Sequence, residues 1–249
     1  MSPRATAAVA RRVLRQLRRD PRTVALLVVV PSALVALLWW VYSARPGPNM
    51  LDSMGPALIA FLPSTMMFIV TSVTMLRERT FGTLERMLAM PTGKADILLG
   101  YALALALVCV LQAGAVIAVA VYALGMEVGG PTWALLVVAL ADSFLGTALG
   151  LALSALARTE FQAVQFMPAL VAPQLVLSGV FVPRDAMPPV AEAVSTVLPL
   201  TYGVEAMQGV QAGAAGRVAS GTWGDVGIVV GIAVGVLLLG TLTLRRRTA

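Results

Sequence analysis

Apolar residues gather in six long blocks along this chain, at 24–43, 56–76, 97–124, 132–157, 161–182 and 226–244. Each is long enough to cross about 30 Å of hydrocarbon as an α-helix. The pattern predicts an all-α integral membrane protein with six transmembrane helices. Residues 1–23 precede the first block as an arm, 77–96 separate the second and third, and 245–249 form a tail. The 183–225 stretch is too charged and too rich in Pro and Gly for a seventh span. Its middle is apolar enough to dip into the bilayer, which predicts an outer re-entrant hairpin.

The arm has its own pattern. At about 100° per residue, Val9, Ala10, Val13, Leu14 and Leu17 fall on one side, and Arg4, Arg11, Arg12, Arg15, Arg18 and Arg19 on the other. This predicts an interfacial amphipathic helix with its apolar face in lipid and its arginines at anionic headgroups. Asp20-Pro21 ends it. The competing reading of 1–44 as a cleaved signal peptide meets an apolar core that is too long and ends in Trp39-Trp40. Gly146 and Gly150 in the fourth span, and Gly227, Gly231 and Gly235 in the sixth, have the spacing that lets helices approach closely, within one subunit or between two. Pro168 and Pro173 predict a kinked fifth span.

Charge then orients the chain. Hydrophobic residues make up 59% and charged residues 12%, with a net charge of +6. Of the 18 Lys and Arg, 15 lie in the arm, the 77–96 loop, the Arg158 connection and the tail; only Arg45, Arg184 and Arg217 lie on the other side. Positive-inside bias puts both termini in the cytoplasm and argues for a membrane rather than a nucleic-acid role. Trp39, Trp40, Trp133 and Trp223 all fall at predicted outer ends, as an interfacial belt does.

Much chemistry is excluded. The chain has no histidine, which removes imidazole acid–base work, a Ser/His triad and histidine metal ligation. The single cysteine, Cys109, excludes an internal disulfide. Gly93-Lys94 lacks the upstream glycine of a phosphate-cradling loop. The expectation is a chain with no catalytic site and no bound cofactor or metal. Asp142, inside the fourth span, is a functional candidate by its cost in hydrocarbon; the alternative is a packing role beside Ser143 and Thr147. Glu205 is expected at the outer interface, in water.

The 77–96 loop concentrates Arg77, Arg79, Arg86 and Lys94 with Glu78, Glu85 and Asp96. A short helix over 80–90, ended by Pro91, would set Phe81, Leu84 and Leu88 on one face and expose Glu85 and Arg86. An apolar row flanked by charge suits insertion into a cleft of a soluble partner; the alternative is a solvated connector.

The run Arg77-Glu-Arg-Thr-Phe-Gly-Thr-Leu-Glu-Arg-Met-Leu-Ala-Met-Pro91, with Leu177-Ser-Gly-Val-Phe-Val-Pro183, Met187-Pro-Pro189 and Leu198-Pro-Leu-Thr-Tyr202, resembles the membrane subunits of ABC-2-type transporters. It is most similar to bacterial drug exporters of the daunorubicin-resistance class. The resemblance spans nearly the whole chain and leaves the substrate open. It implies a permease in the bacterial cytoplasmic membrane that exports a hydrophobic or amphipathic substrate such as a drug, antibiotic or lipid. It also implies a homodimer paired with two copies of a separate ATPase subunit, which would hold the ATP and magnesium. Under it, Glu78, Arg79, Phe81, Gly82, Thr83, Leu84, Glu85 and Arg86 couple to the ATPase. Ser64, Thr65, Met67, Phe68 and Thr71 of span two, with Gln162, Gln165, Met167 and Gln174 of span five, line the substrate path. The alternatives are an ion- or proton-coupled carrier using Asp142, and a non-transporting scaffold or immunity protein.

Overall fold

The computed structural model describes residues 2–43, 50–82, 94–154, 156–157 and 159–243. Among these residues every regular element is helical, and the one extended pairing is an isolated bridge between Ala214 and Arg217. The arm forms α1 (Pro3–Arg19). Asp20 then caps α2 (Pro21–Ser43): its carboxylate accepts from the Thr23 hydroxyl at 2.6 Å and the Thr23 amide at 3.2 Å, ahead of a proline that needs no donor partner. Those two bonds hold the Asp20 carboxyl below its ordinary range.

α3 (Met50–Thr80), α4 (Lys94–Ala118), α5 (Thr132–Ser154) and α9 (Thr222–Thr243) follow the predicted blocks. α4 runs into a π-helical turn, Val119–Ala123. With α2, these are five helices long and apolar enough to cross a membrane. The fifth expected span, 161–182, is instead α6 (Glu160–Leu177), whose apolar stretch is Val164–Leu177. At 1.5 Å per residue that stretch covers only about 21 Å. The helix stops early because Ser178 is followed by Gly179 at a φ of +89°, a conformation that ends a helix. Pro168 and Pro173 lie inside it.

The 183–225 stretch, expected as an outer re-entrant hairpin, holds a 3₁₀ turn at Arg184–Ala186, a short α7 (Pro189–Ser195) and a longer α8 (Pro199–Gln211). α8 is no surface piece. Its Thr201, Gly203, Val204, Ala206, Met207 and Val210 are buried, and it joins the main core with α3, α4 and α5. Glu205, expected in water, is bonded to the Arg184 guanidinium. At the same end, Trp133 and Trp223, each one residue into its helix, stack with ring centroids 5.7 Å apart.

α3 is the central helix, and glycine is the reason α5 can lie on it. A Cβ at Gly146 would collide with the Ser64 carbonyl oxygen, and one at Gly150 would sit 2.5 Å from the Phe68 carbonyl oxygen. The Gly146/Gly150 pair is therefore spent inside the chain. Among the described residues, Gly227, Gly231 and Gly235 of α9 face open space.

Candidate functional site

The ends of the charged segment are held from below by the arm. α3 carries Glu78 almost to its last turn, and Gly82, at a φ of +66°, closes the helix after Phe81. Glu78 is buried: both its oxygens accept from Arg12 Nη2, at 3.2 and 3.0 Å, and Oε1 also accepts from Gln16 Nε2 at 3.3 Å. On the other side of the segment, Asp96 in the first turn of α4 accepts from the Ser2 amide at 2.9 Å and the Thr6 hydroxyl at 3.4 Å. A charge-assisted pair at one end and a carboxylate on a helix start at the other fix the arm's register.

Between these two anchors the arm's apolar face is covered by protein. Val9 and Val13 are buried with Met75 of α3 and Ile97, Tyr101 and Ala104 of α4. Gly100 permits the approach, since a Cβ there would lie 2.5 Å from Val9 Cβ and 2.9 Å from the Thr6 carbonyl oxygen. The expectation of that face in lipid is thus corrected: α3 and α4 already offer it an apolar groove, which buries the same surface without lipid.

Of the coupling candidates, Phe81 stands 73% exposed, while Glu78 faces the arm. Gly82 forms the turn, and Arg79 is described by its backbone alone. Thr83, Leu84, Glu85 and Arg86 lie outside the described residues, as does the 83–90 part of the helix expected over 80–90; of its start, Thr80 ends α3 and Phe81 and Gly82 form a turn. Reading the sequence missed Arg12, Gln16 and Gly100 as parts of the site, and placed Asp96 in the loop without its partners on the arm. Two acids flanking one loop beside an arginine-rich arm were the available signal.

The pathway candidates divide. Ser64, Thr65, Met67, Phe68 and Thr71 are all buried, and the close α3–α5 contact covers Ser64 and Phe68. Met67 sits in a cluster with Leu27, Leu105 and Cys109. Ser64, Thr65 and Phe68 join Gln174 and Leu200 around a cavity of about 20 Å³, room for roughly one water. Gln174 serves α8, accepting from the Leu200 amide at 3.3 Å while its Nε2 donates to the Leu170 carbonyl at 3.0 Å. On α6, Gln165 is exposed and Gln162 half-buried; the Met167 side chain is not described.

Asp142 is wholly buried, and neither carboxylate oxygen has a hydrogen-bond partner among the described residues. Ser143 and Thr147, beside which a packing role was expected, do not bond it. Thr147 donates to the Ser143 carbonyl instead, at 2.9 Å. The carboxylate presses on α8 at Gly203, where any Cβ would collide with it.

A helical bundle whose basic N-terminal helix is tied to Glu78 and Asp96 has a match among known families. The ABC-2 type transporter model fits residues 4–212, from the arm through α8. The chain belongs to the ABC-2 type transporter family. It is similar to ABC transporter G family member 20 of Dictyostelium discoideum, at 22% identity over 203 residues, 82% of this chain and 28% of that protein. It is also similar to the probable multidrug ABC transporter permease YbhR of Escherichia coli, at 28% over 147 residues, 59% of this chain and 40% of that one. With the inner membrane transport permease YhhJ of the same organism it shares 26% over 169 residues, 67% of this chain and 45% of the relative. The chain spans less than half the length of these curated relatives.

Proposed function

We propose that this chain is the membrane permease of an ATP-binding cassette exporter. Two copies would pair with two separate ATPase subunits and carry a hydrophobic or amphipathic substrate out across the bacterial cytoplasmic membrane. Both termini then face the cytoplasm, in keeping with the 15-to-3 placement of Lys and Arg. The observation that carries the reading, beyond family membership, is the uncovered side of α6. Gln165, Pro168, Ala169, Ala172 and Pro173 are exposed there. Each proline lacks an N–H, so the carbonyls four residues earlier, at Val164 and Ala169, lose their helical donors. Unsatisfied backbone groups cost several kcal/mol each in hydrocarbon, so such a face belongs on protein or on a water-filled path rather than on lipid. A second copy across a substrate path supplies both.

At the other end, ATP-driven movement of the partners would enter through Phe81 and the 83–93 segment and pass as rigid-body motion into α3, α4 and the arm that ties them. The carrier alternative would need Asp142 to meet a conducting route, and its carboxylate is sealed against Gly203.

The test is coexpression with a candidate ATPase, copurification, and ATP-dependent dye efflux from vesicles. Phe81→Ala should weaken copurification by about 2 kcal/mol or more, as hot-spot truncation does. Gln165→Trp should block efflux while the complex still assembles. No ATPase copurification and no ATP-dependent efflux with the parent chain would overturn the reading; wild-type efflux in both variants would overturn the roles given to Phe81 and the α6 face.

A further inference from the structure

We infer that the outer face of α1, carrying Arg4, Arg11, Arg15 and Arg18, is a binding surface for anionic phospholipid headgroups, engaged by charge and not by insertion. The inference does not depend on what the chain transports.

At about 100° per residue these four arginines fall within roughly 60° of arc, and all four are exposed. They form a stripe about 21 Å long at 1.5 Å per residue. The stripe lies opposite Val9 and Val13, which are buried in the α3–α4 groove. That placement removes the usual means by which an amphipathic helix holds a membrane, because the apolar side is already taken. Only the guanidinium side is left to face outward.

The acids close to α1 do not quench it. Glu78 is occupied by Arg12 and Gln16, on the protein side of the helix. Asp96 receives Ser2 and Thr6, again on that side. Asp20 is turned to Thr23. Among the described residues, no ion pair engages Arg4, Arg11, Arg15 or Arg18.

Position selects lipid as the occupant. α1 is tied to the last turns of α3 and the first turn of α4, and α2 enters the bilayer directly after Asp20. The stripe therefore sits at headgroup depth in the leaflet on the arm's side. Anionic headgroups there are numerous, and each nearby arginine can enrich them by up to about fivefold. An acidic face of a protein partner is the competing occupant.

The full chain, with Cys109→Ala and a fluorophore on Ala8→Cys beside the stripe, is placed in phosphatidylcholine nanodiscs. Trace acyl-labelled phosphatidylglycerol or phosphatidylcholine serves as the energy-transfer acceptor. Transfer to phosphatidylglycerol should exceed transfer to phosphatidylcholine several-fold. The excess should vanish at about 1 M salt, where the screening length is near 3 Å. Replacing Arg11, Arg15 and Arg18 together by Gln should remove it, and by Lys should keep it. Equal transfer to both lipids in the unmodified chain would overturn the inference. So would an excess that survives the Gln replacement. Loss of a copurifying protein in the Gln variant, with no lipid preference in the parent, would assign the stripe to a protein partner instead.

Discussion

Asp142 and Gly203 act as one unit. A carboxyl group with no partner among the described residues is costly in a membrane core, and here its surroundings are closely fitted. The glycine backbone of α8 provides that fit. Gly203→Ala should lower thermal stability in detergent by about 1–3 kcal/mol, the usual cost of overpacking. Asp142→Ala in the same chain should return much of that loss, because it removes the atoms the new Cβ meets. Asp142→Asn alone should fold and transport within a few-fold of the parent. A double-mutant cycle read by thermal unfolding decides the matter: additive losses would mean that the two residues do not press on each other. Glu78 shows the same dependence on context. As part of the run 77–86 it reads as a surface charge; in the fold it receives Arg12 and Gln16 from an element more than 60 positions away.

At the scale of elements, α1 is the piece whose role changes most between pattern and structure. Its two faces are evident from spacing alone. Which face meets lipid is not, because periodicity cannot distinguish a hydrocarbon surface from a groove between α3 and α4. Gly100 settles it by allowing the helices to touch. Gly100→Val should lift α1 off the groove, and trypsin should then cut at Arg11 and Arg15 faster than in the parent. The five long apolar helices should remain protected. Equal cleavage in both forms would show that the arm is not seated there. α6 is the opposite case. Its prolines were visible as breakers, yet the length of its apolar stretch followed from where Gly179 turns the chain.

For the whole molecule, the two glycine motifs make separable predictions. Gly146 and Gly150 let α5 sit on the carbonyls of α3, so Gly146→Leu should abolish the folded monomer, read as loss of a monodisperse peak in detergent. A Cβ at Gly231 would meet nothing among the described residues. Gly231→Leu should therefore leave monomer stability within about 0.5 kcal/mol, as other surface changes do. A comparable loss of fold from both would mean that α9 packs by its glycines as well.

The membrane class, the succession of apolar blocks, the two-faced arm, the charged loop and the exclusion of histidine chemistry all follow from the sequence. These depend on composition and short-range period, which need no partner to be read. The family resemblance also rests on local runs such as 77–91. Tertiary structure alone decided that Glu78 and Asp96 are the arm's two anchors, that Ser64 and Phe68 lie under α5, that Gln174 caps α8, and that Asp142 faces Gly203. Each of these pairs residues far apart in the chain, and an 18-residue helix looks the same locally whichever neighbour its sides meet.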